Sequence, residues 1–339
     1  MKALVTGATG FLGVHLIDAL LARNAAIVVL ARDDAASRLR KKELEDKGVR
    51  IVWGDILEGS NVAEAAKGCD ALFHCAGRVS RDPKDAAALH RIHVEGTKIT
   101  LDAAREAGIK RVVMASTSGV VCVTDDADEI RDEKAPAPMD LIGRWPYYRT
   151  KLFAEVAAFE RNKPDFEVVC VNPALLLGPG DVIGSSTGDV VDFLERRLPA
   201  VPAGGISFVD ARDAAAALVL AWDLGRAGHR YLVAAQNLTM QSFCDKLERL
   251  SGVKGPALRV PVRSPALARF GASLLDKARE SVRTLPSVDA VSAEMANYFW
   301  YVDSTKAKTE LGWEPRDPVE TLADTIDDLR SRGVVWPRA

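Results

Sequence analysis

In VTGATGFLG, residues 5 to 13, a short apolar run stops at Gly7, and Gly10 and Gly13 follow at three-residue intervals as the helical pattern FLGVHLIDALLAR begins. Glycines so placed have three jobs: a tight turn, close approach of backbone to a pyrophosphate, and close packing of helix on sheet. The helix start then offers unpaired N–H groups and the positive end of its dipole to phosphate. Alone, a glycine triplet is weak evidence. Opening the first strand–helix–strand unit of an alternating chain, it predicts dinucleotide binding.

The rest of the chain supplies that alternation. Runs rich in Val, Ile and Leu (KALVTG, AIVVLAR, VRIVWGD, ALFHCAG, RVVMAS, FEVVCVNP) are separated by segments of helical period such as GTKITLDAAREAG. Continuously apolar strands need cover on both faces, so the expected fold is α/β, a Rossmann-type doubly wound parallel sheet with a smaller, mostly helical C-terminal substrate lobe. The reading puts the cofactor domain at 1–172, rejoined by about 205–233, and gives the remainder of 173–331 to the substrate lobe. An amphipathic helix is expected near 189–198. Another, at 264–284, carries Leu267, Phe270, Leu274, Ala278 and Val282 on one stripe and packs on the lobe, with a substrate lid or membrane-surface contact as alternatives.

Composition narrows the partner. The 339 residues are 48% apolar and 27% charged with net charge −2, and basic residues are spread along the chain, which argues against nucleic acid and for a small molecule. No apolar run reaches transmembrane length and the N-terminus reads as a first strand, so no stable membrane insertion and a cytoplasmic location are expected. Five cysteines form no C-x-x-C pair and read as reduced and buried. His90 and His93 form an H-x-x-H without a third ligand, so no metal site is expected.

The end of the second strand, AIVVLARDD, meets the adenosine ribose in this fold class. An acid there suits the 2′-hydroxyl of NAD, and an arginine suits a 2′-phosphate. Register puts Ala31 at the acid position and Arg32 just after it, with Arg38 and Arg40 close behind. NADP(H) is therefore favoured; in the alternative, Asp33 holds the ribose of NAD(H) and Arg32 is a surface charge. Further on, PYYRTK at 146–151 places Tyr147 four residues and Tyr148 three residues before Lys151, so either phenol can meet the lysine on one helix face. A nearby ammonium lowers a tyrosine pKa and eases proton exchange with a substrate oxygen.

Taken in order, TGATGFLG, GDI (54–56), FHCAG (73–77), VEGT (94–97), AST (115–117), YYRTK, VNPALLLGPGD (171–181), SFVDARDAAAALVLA and the closing DSTKAKTELGWEPRDPVETLADTI resemble an extended short-chain dehydrogenase/reductase, of the NAD-dependent epimerase/dehydratase superfamily, over nearly the whole chain. Within it the chain is most similar to the dihydroflavonol-reductase and 3β-hydroxysteroid-dehydrogenase-like branch.

The resemblance implies that Gly7, Thr9, Gly10, Phe11, Leu12 and Gly13 meet the pyrophosphate, Asp55 and Ile56 the adenine, Ala76 the cofactor ribose, and Pro173 and Leu176 the nicotinamide. It selects Tyr147 as acid/base, Lys151 as its tuning charge and nicotinamide-ribose ligand, and Thr117 as the hydroxyl that holds the substrate oxygen; Tyr148 falls to an orienting role, and Ser116 and Ser118 compete for a pocket contact. Where relatives read Asn-Val-x-Gly-Thr, this chain has His93, either a structural histidine or a group in the proton relay or at the substrate. The implied activity is interconversion of a ketone and a secondary alcohol by hydride transfer, in a homodimer joined through the helices at 93–107 and 147–161. A nucleotide-sugar epimerase or dehydratase is the alternative, disfavoured because PAGGISFVD carries no arginine for a substrate pyrophosphate. A non-catalytic NADP-binding sensor or scaffold is the reading of another class. The substrate pocket is expected from loops at 78–84, 124–144 and 182–187 and from the helical lobe.

Overall fold

The computed structural model describes residues 1–259 and 290–336. The helix expected at 264–284 lies outside the described residues. Strands β1 (Lys2–Thr6), β2 (Ala26–Ala31), β3 (Arg50–Trp53), β4 (Ala71–His74), β5 (Arg111–Ala115) and β6 (Glu167–Pro173) alternate with helices α1 (Phe11–Leu21), α2 (Ala35–Asp46), α3 (Gly59–Ala66), α4 (Ala86–His90), α5 (Gly96–Glu106), α6 (Met139–Ile142) and α7 (Pro146–Glu160). With β9 (Arg230–Val233) the strands form one seven-stranded sheet of order β3-β2-β1-β4-β5-β6-β9, parallel throughout. The order reverses beside β1, which is where this topology opens a crevice at the carboxyl ends of the strands.

Strand residues alternate between two cores. Val5, Val29, Phe73, Val113 and Val169 pack with Leu16, Ile17 and Leu20 of α1 and with the alanines of α9 (Ala211–Leu224). Leu4, Val28, Leu72, Val112 and Val168 pack with α3, α5 and α7 on the other face. A strand buried on both sides has no position for a charge, which is why these segments read as unbroken apolar runs.

A second, three-stranded sheet, β10-β8-β7, is built from β7 (Leu175–Leu177), β8 (Gly205–Asp210) and β10 (Gln236–Thr239). It carries a separate core with α8 (Gly188–Leu194), α10 (Met240–Ser251) and α13 (Pro318–Ser331). The segment expected to rejoin the cofactor domain at about 205–233 is therefore shared: β8 lies in the small sheet, while α9 packs on α1 and β9 closes the edge of the large one. The chain's end also crosses back. After α11 (Ala290–Met295) and α12 (Thr305–Leu311), the buried Trp313 donates its indole N–H to the Asp213 carbonyl of α9 at 2.8 Å, and Arg316 grips the Asp213 carboxylate at 2.9 and 3.0 Å.

Gly7 takes φ +73°, a conformation that suits glycine. A Cβ on Gly13 would lie 2.1 Å from the Gly7 carbonyl oxygen, so the first turn of α1 sits directly on the turn before it. Gly13→Ala is expected to lose at least about 2 kcal/mol of stability in urea unfolding, because backbone, not a side chain, must move to admit the methyl group.

Candidate functional site

A cleft of about 1650 Å³ runs along the carboxyl edge of the large sheet and on between the two sheets. One end is the glycine turn. Gly10 precedes α1 with no side chain capping the helix, so the amides of its first turn face the cleft without a protein partner supplied by a cap. A Cβ on Gly7 would lie within 2.6 Å of the Cys75 and Ala76 backbone, which closes this cradle from the β4 side. A pyrophosphate fits such a surface: backbone N–H groups at a helix N-terminus that no side chain caps. Gly7, Thr9, Gly10, Phe11, Leu12 and Gly13 all line the cleft.

Asp55 and Ile56 follow along the wall; Asp55 accepts the Leu57 amide at 3.0 Å and gives its own amide to Asn61 at 3.0 Å. Ala76, Thr117, Ser118, Pro173 and Leu176 line it as well.

At the end of β2, Arg32 lines the cleft, exposed and ion-paired with Asp34 at 3.0 Å. Arg38 is engaged elsewhere, held by Asp33 through two bonds of 2.7 and 3.0 Å, and it is not among the described residues of the cleft wall. Asp34 and Ser37 take that place, with Asp34 capping α2 through the Ser37 amide at 2.9 Å. Sequence reasoning passed over both, although Asp is a preferred residue just before a helix start, a signal that could have marked Asp34.

The residues expected to carry the chemistry, Thr117, Tyr147 and Lys151, come together where β5 meets α7. Tyr147 is half-buried in the cleft wall, its ring edge-on to His93 at 5.7 Å and to Tyr148 at 5.0 Å. Lys151 is buried, and its ammonium donates to the Ala115 carbonyl at 2.7 Å. The lysine therefore does not depress the tyrosine as its spacing suggested. Burial, with Tyr148 alongside, pushes the Tyr147 hydroxyl above the usual tyrosine range, while burial pulls Lys151 below the usual lysine range. Thr117 caps a single turn at Ser118–Val120, its Oγ1 accepting the Gly119 amide at 3.4 Å. Tyr148 packs between Gly119, where a Cβ would lie 2.2 Å from its ring, and Trp300 at 4.9 Å.

His93 sits in a π-helical turn at Arg91–Glu95, buried. Its Nε2 accepts the Arg78 amide at 3.1 Å, which puts the proton on Nδ1, 2.9 Å from Thr150 Oγ1; that hydroxyl donates to the Pro146 carbonyl at 2.7 Å. Both ring nitrogens are thus engaged by protein. Burial and the Lys151 charge hold its pKa down at about 3. His74, between Thr6 at 2.8 Å and Thr97 at 3.1 Å, is held at about 3 by the same causes.

The pocket loops differ in part from expectation. Residues 78–81 and 183–186 line the cleft, but among the described lining residues none falls between Thr124 and Arg144. That segment is tied instead to the chain after α11: Thr124 pairs with Phe299, and Arg131 with Val302. All five cysteines are free thiols, and among the described residues no three metal-ligating side chains stand together. No helix among the described residues is long and apolar enough to cross a membrane.

The model of the NAD dependent epimerase/dehydratase family matches residues 3–234. The chain is 32% identical to a putative dihydroflavonol 4-reductase of Synechocystis sp., over 98% of this chain and 95% of that one. It is also 32% identical to sterol demethylase protein B of Methylococcus capsulatus, over 99% and 100% of the two chains. A structure of dTDP-glucose 4,6-dehydratase from Streptomyces venezuelae with NAD and TYD bound is similar with a TM-score of 0.79 at 23% identity, covering 99% of each chain, a likeness of fold. The protein belongs to the NAD dependent epimerase/dehydratase family, within the extended short-chain dehydrogenases/reductases. Reductases stand among its homologues, and its class is that of nicotinamide-dependent enzymes.

The two buried histidines set a pH dependence of stability. Held neutral in the fold and free to protonate near 6.5 when unfolded, each contributes stability that is complete above about pH 6.5 and is lost as pH falls, about 2 kcal/mol by pH 5. His93→Asn is expected to lower the slope of unfolding free energy against pH between pH 6 and 4 by about one proton, measured by urea unfolding.

Proposed function

We propose that this enzyme is an NADP(H)-dependent reductase or dehydrogenase that interconverts a ketone and a secondary alcohol. The observation that carries the reading is the convergence, in one cleft, of the glycine cradle with Tyr147, Lys151 and Thr117. The cofactor supplies or receives the hydride. Tyr147, kept protonated by its burial, gives its proton to the substrate oxygen as negative charge develops there, and Thr117 steadies the same oxygen. Lys151 lies where it can release the Ala115 carbonyl and hold ribose hydroxyls. Arg32, beside the cleft at the end of β2, supports a 2′-phosphate; Asp34, which pairs with it, supports the NAD(H) alternative.

The substrate end favours a bulky, uncharged, largely apolar ketone. Leu198, Pro202, Ile206, Met240, Phe243 and Leu247 line it, with Tyr148 and Trp300 nearer the reacting groups. Two arginines of its wall are matched by acids: Arg81 with Asp189 at 3.4 Å and Arg197 with Asp192 at 2.7 Å. A nucleotide-sugar substrate needs cations for its pyrophosphate, and this pairing, with no arginine in PAGGISFVD, weighs against that reading. On the outer face of α7, Phe153 and Val156 are exposed three residues apart, which supports a second copy packing there.

The test is oxidation of NADPH, and then NADH, against steroid, aromatic, β-keto acyl and sugar ketones. Apolar ring ketones with NADPH are expected to react fastest. Tyr147→Phe is expected to lower kcat at least about 100-fold, and parent-rate reduction by that variant refutes the reading. Arg32→Ala should raise the KM for NADPH about tenfold and leave that for NADH unchanged; equal effects on both assign Arg32 to the surface.

A further inference from the structure

Behind the reacting groups lies a buried charge that no substrate reaches. Glu155 of α7 is fully buried, four residues after Lys151 and eight after Tyr147, so all three share one helix face. One carboxylate oxygen lies 2.7 Å from Arg230 Nε, on β9. The other accepts from Asn172 Nδ2 at 2.7 Å. The same Asn172 nitrogen, at the end of β6, also donates to the Thr117 carbonyl at 3.1 Å. Since Lys151 donates to the Ala115 carbonyl, α7 holds the exit of β5 directly at Ala115 and, through Asn172 of β6, at Thr117.

Stability alone accounts poorly for this arrangement. Burying a carboxylate and a guanidinium costs about what their attraction returns, and an apolar pair would serve as well. The carboxylate does have a local effect. The titratable groups facing Lys151 are Tyr147 and Glu155 from its own helix, His74 and Cys75 at the end of β4, His93 from the π-turn and Cys170 from β6. The histidines are held neutral, and burial pushes the Cys75 thiol up to about 12 and Cys170 well above its usual range, so both stay protonated. Glu155 is the carboxylate in that shell.

We propose that Glu155 is a positioning residue for the reaction: through Asn172 it sets the backbone of Thr117, and through its charge, moderated by Arg230, it favours the ammonium form of Lys151. This rests on the reading of Thr117, Tyr147 and Lys151 as the reaction centre.

The experiment follows kcat, KM and the pH profile of ketone reduction in Glu155→Gln, Glu155→Asp and Arg230→Gln, together with the Lys151 titration by NMR in the cofactor-loaded protein. Glu155→Gln is expected to lower kcat about tenfold or more with KM changed less than about twofold, and to move both the alkaline limb of kcat and the Lys151 titration downward by about one unit. Glu155→Asp should recover part of both. Arg230→Gln, which leaves the carboxylate without its countercharge, should move the Lys151 titration upward, and it serves as the readout if Glu155→Gln does not fold. A parent kcat and pH profile in Glu155→Gln, a loss of kcat without movement of the Lys151 titration, or a downward shift in Arg230→Gln overturns the proposal. Tyr147→Phe separates the two readings: if it keeps the parent rate, the reaction centre is misassigned, while the Lys151 titration still tests Glu155.

Discussion

The Gly7 carbonyl and the Gly13 Cα lie so close that no side-chain carbon fits between them, and the rest of the site depends on that contact. It seats the start of α1 on the end of β1 and turns the free amides of the helix toward the crevice beside β4. Because β1 stands where the strand order reverses, those amides meet open space and not another crossover. One steric fact thus places a cradle of backbone amides at the head of a cleft whose middle is the β5–α7 junction.

That junction is governed by burial more than by charge pairing. Two histidines are held neutral, two thiols protonated, a tyrosine is raised and a lysine is lowered, all mainly because water is kept away. A protonated Tyr147 is the form that the proposed reduction requires. The π-turn carrying His93 fits the same logic. Its extra residue aims the ring so that Nε2 takes the Arg78 amide and Nδ1 reaches Thr150, locking the loop that borders the cleft to the first turns of α7.

Much of this was legible in the chain. VTGATGFLG marked the cradle, the unbroken apolar strands marked a sheet covered on both faces, and Tyr147 and Lys151 were visible as one helix face. Other features were not. Arg32 and Arg38 look equivalent in ARDDAASR, yet the turn into α2 sends Arg38 to Asp33 and brings Asp34 to the cleft. PYYRTK suggested a lysine that lowers a tyrosine, but spacing cannot say that the ammonium is taken by Ala115, a carbonyl 36 residues away. The strand at Gly205–Asp210 carries the same apolar signature as those of the large sheet and belongs to the other one, because pairing depends on partners far along the chain.

The sequence by itself determined the local chemistry: which turns need glycine, which segments must be covered on both faces, and which phenol and amine share a helix face. These follow from steric limits and periodicity within a few residues. The tertiary structure decided protonation, partners and exclusion from water. His93 became a neutral bracket, the segment at 124–144 left the pocket to pair with the chain after α11, and Glu155, Asn172 and Arg230 met from one helix and two strands. Those outcomes depend on how much water remains around a group and which distant carbonyl or carboxylate replaces it, and no window of sequence contains that distance.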